Sequence, residues 1–521
     1  MIPSSRVPAA DRPALAAPLG RALERLAAEA DGAAIWVIGG CVRDRIQGRP
    51  VRDLDLVTAG NAAEAAGRLA RALRGTLVHL DRARDIARVV WSGPRGAVTL
   101  DVARLAGGDL AADLAARDFT VNALALPLSA DLADVLSRGG NALAARVHDP
   151  SGGLADLRDG RLRMVDAANL DDDPLRLLRA VRLAADLDLA LDEATAVAIA
   201  ARAGLLSRPA PERLRQELLR ALASGGAGRA LTLADELGLL DALFGDLAAA
   251  RGVAQSPPHD RDVRRHSLDA AIGTAWLLQR VFGEPSAPPA GSHLPPVFLA
   301  AVDAAAPDLA AHFAAAPLMD EMPRRAWLVL AALLHDLGKP RCAQIDPRSE
   351  RIRFPGHPEA GALLTRAIAR RLRACAPGVA YLEGLVRCHM LPLWLSSGPP
   401  PDGRIVHRYF RAAEALGVDA ALFSLADNAA KAPLDPDAAE RLAAAFSSLT
   451  GAWFHDRERL VEAHPAVDGR TLLAALGLEP GPQVGALLAG LREAVAAGEV
   501  APDDAEAAIG WARRRLPSAP D

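Results

Sequence analysis

The chain has 521 residues, of which 51% are apolar and 24% charged, and its formal net charge is −4. That length leaves room for two to four domains, and the mildly acidic balance argues against indiscriminate nucleic-acid binding, so an RNA partner has to meet local arginine clusters. No apolar run reads as long enough to span a bilayer, Met1 to Pro18 lacks a signal pattern, and Cys41, Cys342, Cys375 and Cys388 show no paired spacing; a cytoplasmic chain with no membrane partner is expected.

Ala14 to Glu29 predicts an amphipathic helix with Leu19, Leu23 and Leu26 on one face. Ala34 to Ile38 reads as a buried strand that breaks at Gly39-Gly40, where the backbone can turn tightly and approach a phosphate. Val42 to Ile46 reads as a short helix and Asp53 to Val57 as a second strand. Side chains alternate along a strand, so Asp53 and Asp55 share a face. Two carboxylates projecting together repel unless a cation lies between them, and hard oxygen ligands suit Mg2+. Ala62 to Leu73 reads as a helix, and Thr76 to Leu80 and Ala87 to Trp91 as strands. In Ala97 to Val102, Val98, Leu100 and Val102 take one face and leave Thr99 and Asp101 on the other.

The pattern Gly39-Gly40-x-Val42-Arg43-Asp44, then Gly48, then Asp53-x-Asp55, resembles the signature of class II CCA-adding enzymes and bacterial poly(A) polymerases, in the polymerase-β-like nucleotidyltransferase superfamily. The resemblance implies catalytic metal-binding carboxylates at Asp53 and Asp55, with Asp101 as a third. It places a flexible, nucleotide-selecting loop within Leu80 to Gly96. Arg117-Asp118-Phe119-Thr120-Val121-Asn122-Ala123 is similar to the family's second motif, with Ala116 replacing its first arginine. Arg117 can pair with a triphosphate, and Asp118 and Asn122 can bond ribose hydroxyls or hold the arginine.

Asp149-Pro-x-Gly-Gly-x-x-Asp-Leu157 reads as a turn-rich bridge. Asp172 and Pro174 then suit a helix start, and Arg176, Arg179 and Arg182 line one side of the helix that follows. Asp173 and Arg176, one turn apart, can set an acceptor beside a donor. Cytosine and adenine offer the complement; uracil and guanine offer the reverse. In the resembled family such a pair selects CTP and ATP without a nucleic-acid template. Gly39, Gly40, Arg43, Arg117, Asp118, Asn122, Asp173, Arg176, Arg179 and Arg182 are thus the expected nucleotide-binding set. Pro211-Glu212-Arg213-Leu-Arg215-Gln-Glu217 resembles the next family motif and is expected to hold neck helices together.

Beyond Gly225-Gly226 the chain reads as helical. His266, His335-Asp336, His357, His389 and Asp427 form an ordered series of imidazoles and carboxylates, suited to one or two divalent or transition metal ions. The series resembles the HD-domain phosphohydrolases, which implies a phosphatase or 2′,3′-cyclic phosphodiesterase-like activity. Lysine occurs only at Lys339 and Lys431, and Lys339 falls where many HD proteins bind phosphate. Residues 281–325, rich in Pro and Ala, read as a partly helical insertion. The tail from 450, with Gly469-Arg470 and Pro480-Gly481-Pro482, resembles the family's C-terminal region.

The expected fold is an α+β head with a mixed sheet (1–165), an all-α neck (166–225), an HD helical domain (226–449) and a helical tail (450–521). The expected activity is CCA addition to tRNA from CTP and ATP, with Mg2+ in the head and no DNA partner. The alternatives are a poly(A) polymerase, a CC-only or A-only enzyme, and an HD hydrolase with a regulatory head.

Overall fold

Alternating apolar and polar residues in the first third build a six-stranded mixed sheet. Its strands are β1 (Ile35–Ile38), β2 (Asp53–Thr58), β3 (Thr76–Asp81), β4 (Ile86–Gly93), β5 (Gly96–Arg104) and β6 (Ala125–Pro127), in the order β3-β4-β5-β2-β1-β6. Only β2 and β5 pair in parallel; their other neighbours are antiparallel. This computed structural model describes residues 17–29, 34–51, 53–93, 96–129, 140–284, 294–395 and 400–516, with positions 131, 136, 288 and 398. On β2, Leu54 and Leu56 are buried while Asp53 and Asp55 are exposed. The helix Ala62–Leu73 packs across β4 and β5, and the helix Ala17–Ala28 packs on it. The segment expected to hold a loop runs through a hairpin, with a turn between Asp81 and Ile86. Strands β3 and β4 pair up to Asp81 and Ile86, and β4 continues to Gly93.

The chain divides into two compact units, Met1–Pro209 and Ala210–Asp521. The expected neck straddles that division: the Leu175–Asp186 helix lies in the first unit and Pro211–Ala223 in the second. The expected boundary at 450 also moves, because the helix Pro436–His455 runs through it. Beyond it, the helices Gly469–Leu476, Pro482–Ala496 and Ala505–Arg513 close on a small core that includes Leu472, Leu491 and Trp511.

The described part of the 281–325 insertion contains the helix Pro296–Ala315, which packs on Val263–Val281 and Pro436–His455. By length and composition this helix is apolar enough to cross a membrane, against the expectation that no run would be. Alanines supply that character, while Asp303 and Asp308 on the same helix pair with Arg280 and His455. The helix is pinned by a buried ionic knot. Asp419, fully buried, lies 2.8 Å from His312 Nε2 and 2.7 Å from Arg324 Nε, and accepts a 2.6 Å bond from the Tyr381 hydroxyl. Removing one partner from such a knot strands the others away from water. Asp419→Ala should therefore cost about 3 kcal/mol or more in urea unfolding, and Asp419→Asn less; an unchanged midpoint would show that the knot stabilises nothing.

Candidate functional site

In the head, the chain leaves β1 through Gly39 at φ 79°. A Cβ there would come within 2.9 Å of Arg117 Nη1 and 3.5 Å of the Asp55 carboxylate, so the bare backbone allows the turn to lie against both. The parallel register sets Asp55 beside Asp101. Among the described residues, no cation lies within ion-pair distance of Asp53 or Asp55. Asp55 reaches solvent, yet the protein around it displaces water and raises its carboxyl above the ordinary range. Arg117 opposes that rise and Asp101 adds to it. A carboxylate cluster under such strain favours a divalent cation held by oxygen donors. Asp101 is not free in the same sense. Arg88, opposite it across β4 and β5, donates to both its oxygens at 2.7 and 2.8 Å.

Four of the expected nucleotide-binding residues form one polar chain. Arg43 Nη1 donates to Asn122 Oδ1, Asn122 Nδ2 donates to Asp118 Oδ1 at 3.1 Å, and Arg179 Nε lies 2.6 Å from Asp118 Oδ2. Arg117 is held by Asp113 at 3.1 Å. Thr120 donates to Asp156 at 2.6 Å, while Asp149 accepts from the amides of Gly153 and Leu154. The turn-rich bridge thus braces the second motif.

The arginine series does not act as one row. Arg176 donates to the Asn169 carbonyl at 3.0 Å, and Arg182 pairs with Asp186 at 3.2 Å on its own helix. The helix start also differs from expectation. Asp172 ends the short helix Ala168–Asp172, and Asp173 Oδ1 is the group that accepts from Leu175 N. Pro174 separates the two helices and is itself the N-cap of the second, so no carboxylate holds the N-cap position of that helix.

The second unit gathers the whole His/Asp series. Asp336 is its hub and its two oxygens face different imidazoles. Oδ2 lies 3.1 Å from His335 Nε2 and 3.5 Å from His266 Nε2; Oδ1 lies 3.4 Å from His357 Nε2 and 3.9 Å from His389 Nε2. Two ligand sets able to hold a metal ion therefore share Asp336: His266 with His335, and His357 with His389. Asp427 adds a carboxylate 3.0 Å from His266 and 3.4 Å from His335. Each imidazole turns Nδ1 to a backbone carbonyl. His335, His357 and His389 reach those of Ala332, Phe354 and Val386 at 2.8, 2.8 and 2.6 Å, and His266 faces Ala430 at 3.4 Å. That fixes the tautomer and leaves every Nε2 lone pair for a metal. Both Asp336 oxygens are buried without a well-directed hydrogen bond, which fits ligands to a cation.

Close helix packing brings the sets together. A Cβ on Gly338 would lie 2.1 Å from the His357 carbonyl, so only glycine lets the turn after Asp336 meet the helix His357–Arg371. Lys339 is buried, 2.6 Å from Asp336 Oδ2, and donates to Gln255 Oε1 at 2.7 Å.

Burial pushes His266, His357 and His389 down, His389 to about 3. Burial also lowers His335, but Asp336 and Asp427 beside it outweigh that and raise it to about 9. Metal uptake must displace the His335 proton, so affinity for a divalent ion should rise by up to about tenfold per pH unit toward that value and flatten above it. Calorimetry in buffers of different ionisation heat should report proton release near neutral pH; equal heats in all buffers would contradict the assignment.

Arg88, Asp113, Asn169 and His259 were missed by sequence reasoning. Asp113 had a signal, standing four residues before Arg117 on a helical path. Arg88 had none without the strand register. Asn169 donates to the carbonyls of Ala115 and Arg117. His259 packs edge-on to His266, ring centroids 4.8 Å apart.

Family models match three stretches: a poly A polymerase head domain over residues 35–163, a probable RNA and SrmB-binding site of polymerase A over 188–251, and an HD domain over 309–431. The last match begins after His266, which the fold nevertheless delivers to Asp336. The A-adding tRNA nucleotidyltransferase of Deinococcus radiodurans is 34% identical over 92% of this chain and 95% of its own. The CC-adding tRNA nucleotidyltransferase of Thermus thermophilus is 33% identical over 89% and 90%. A Thermotoga maritima CCA-adding enzyme solved with tRNA shares the fold at a TM-score of 0.59 and 19% identity, over 97% of this chain and 96% of that one. With a nucleotidyltransferase head, an RNA-binding segment, an HD domain and near-full-length relatives, this chain belongs to the tRNA nucleotidyltransferase and poly(A) polymerase family.

Proposed function

We propose that the head joins nucleotides from CTP and ATP to the 3′ end of tRNA, rebuilding the terminal CCA with release of pyrophosphate. The observation that carries this reading is the shared face of Asp53 and Asp55, beside Gly39 and Arg117 and without a described cation partner. The ion is Mg2+, which suits hard carboxylates and triphosphates. Bound Mg2+ supplies charge stabilisation at the attacking hydroxyl and the leaving pyrophosphate. Asp53 and Asp55 would hold it, with Asp101, whose oxygens Arg88 engages here, as the third carboxylate. Gly39 and Gly40 leave space for the triphosphate, and Arg117 neutralises it. Asp118 and Asn122 keep Arg43 and Arg179 in place, so that these guanidiniums meet the nucleotide already oriented. The RNA 3′ oxygen bonds to the α-phosphorus as the bond to the pyrophosphate oxygen breaks, and the hydroxyl proton leaves to solvent. Asp173 and Arg176 read the base edge. The tail supports the tRNA body, and the enzyme works in the cytoplasm.

The His/Asp cluster of the second unit is a separate phosphohydrolase site in this reading, of the phosphatase or 2′,3′-cyclic phosphodiesterase type. Its support is the pair of ligand sets that share Asp336.

The test supplies CTP and ATP, singly and together, with tRNA ending before CCA, tRNA ending in CC, and unrelated RNA. Complete repair with both nucleotides is expected; incorporation of ATP into any RNA would overturn the reading. A second reading, addition of CC alone or A alone, is favoured by the names of the two near-full-length relatives. Activity confined to one of those steps would establish it instead.

A further inference from the structure

Of 60 basic side chains only Lys339 and Lys431 are lysines, and each ends on a carboxylate of the His/Asp cluster. Lys339 Nζ lies 2.6 Å from Asp336 Oδ2, and Lys431 Nζ lies 3.3 Å from Asp427 Oδ2 and 3.1 Å from Asn428 Oδ1. Elsewhere the chain uses arginine for every surface cation. Where it keeps lysine, the compact ammonium, with three donors on a flexible stem, fits a crowded site that a planar guanidinium would overfill.

A third group stands beside them. The Ala432 amide donates to the Pro258 carbonyl at 3.0 Å, which ties the segment before the helix Val263–Val281 to the residue after Lys431. Ile352 N donates to Ser256 Oγ at 2.7 Å and fixes the same segment from a second side. His259 is thereby held against His266, and its Nε2 is buried without a hydrogen-bond partner. A buried polar nitrogen left bare is destabilising, so it calls for a ligand.

Charge selects the ligand. With the imidazoles neutral, as metal ligands are, Lys339 and Lys431 cancel Asp336 and Asp427. One divalent ion then leaves two positive charges, and an ion in each ligand set leaves four. A phosphomonoester, doubly charged near neutral pH, offsets two of them; a diester offsets only one.

We propose that Lys431 and His259, beside Lys339, form a subsite for the dianionic phosphoryl group of a terminal phosphomonoester. The proposal rests on the phosphohydrolase reading of the His/Asp cluster and narrows its substrate. Lys431 and His259 are donors to phosphoryl oxygens, outside the ligand set.

The test uses the full chain loaded with Co2+, whose visible absorption is strong and shifted at a low-coordinate imidazole site and only weak at the all-oxygen head site. Inorganic phosphate should shift that band, and dimethyl phosphate should need at least about tenfold more to do so. Lys431→Met should weaken phosphate by about tenfold or more at unchanged Co2+ content, the scale of one charge-assisted hydrogen bond. Because Lys431 neutralises a buried carboxylate, its loss can unfold the bundle; His259→Gln, farther from the carboxylates, should give a several-fold weakening with the fold intact. Unchanged phosphate affinity in the folded variants, or equal affinity for dimethyl phosphate, would overturn the subsite. A wild-type chain that takes up no imidazole-bound Co2+ would overturn the metal-centre reading beneath it, and is distinguished by the missing band.

Discussion

Asp55→Ala should lower nucleotide addition by about a thousandfold or more, with Asp53→Ala close behind, while the protein keeps its melting point. Removing a single group that stabilises transition-state charge costs about a hundred- to a thousandfold, and losing a metal costs several kcal/mol. Asp55 carries more than one such role. It faces Gly39, Asp101 and the Arg117 side that a triphosphate would meet. Its exposure and lack of an ion-pair partner among the described residues mean that little folding energy goes with it. Relief of carboxylate repulsion can even leave the variant slightly more stable. Primer-extension rates on tRNA lacking CCA, read beside a thermal melt, separate the two effects. A variant with more than about a tenth of wild-type activity would remove Asp55 from the chemistry.

Asp336→Ala should have the opposite pattern. It removes the one carboxylate common to both ligand sets, so metal content in the second unit and any phosphoester hydrolysis should both vanish, while nucleotide addition persists. Single histidine variants should be milder: His389→Ala disturbs one set and His266→Ala the other. Asp336 also balances Lys339, so its loss leaves a buried ammonium without its counter-charge and should cost about 3 kcal/mol of stability. Asp336→Asn keeps the shape, and is the cleaner probe of metal loss. If elemental analysis found the Asn variant as metal-rich as wild type, the shared-ligand geometry would be wrong.

The two sites were legible to different depths. Strands β1 to β5 begin and end within two residues of their expected places, because two-residue alternation between Gly-marked turns leaves little choice of register face. The Asp53/Asp55 pair follows from that alternation alone. The Arg88–Asp101 pair does not, because it depends on which residue of β4 stands opposite β5. The helix expected to start at Asp172 instead takes Pro174 as its N-cap, because Asp172 is the last residue of the preceding short helix and Pro174 separates the two. The arginine row was read from spacing, yet Arg179 and Arg182 found different partners, Asp118 and Asp186. In the helical half, the order of His and Asp survived intact into geometry. Nothing in the order shows that Asp336 is the hub; Gly338, by admitting the helix of His357, decides that. The boundary expected at 450 falls beside Gly451, a glycine that the helix Pro436–His455 carries without breaking.

The central claim is that carboxylates of β2 hold a divalent ion against a triphosphate. Crystals soaked with Mn2+ and a non-hydrolysable CTP analogue test it directly, through the anomalous signal of the ion. The account predicts Mn2+ at about 2.1 Å from both Asp53 and Asp55, with triphosphate oxygens on it and the phosphate chain against Gly39 and Arg117. A nucleotide bound elsewhere, or Mn2+ seen at the histidine cluster and not at this pair, would contradict it.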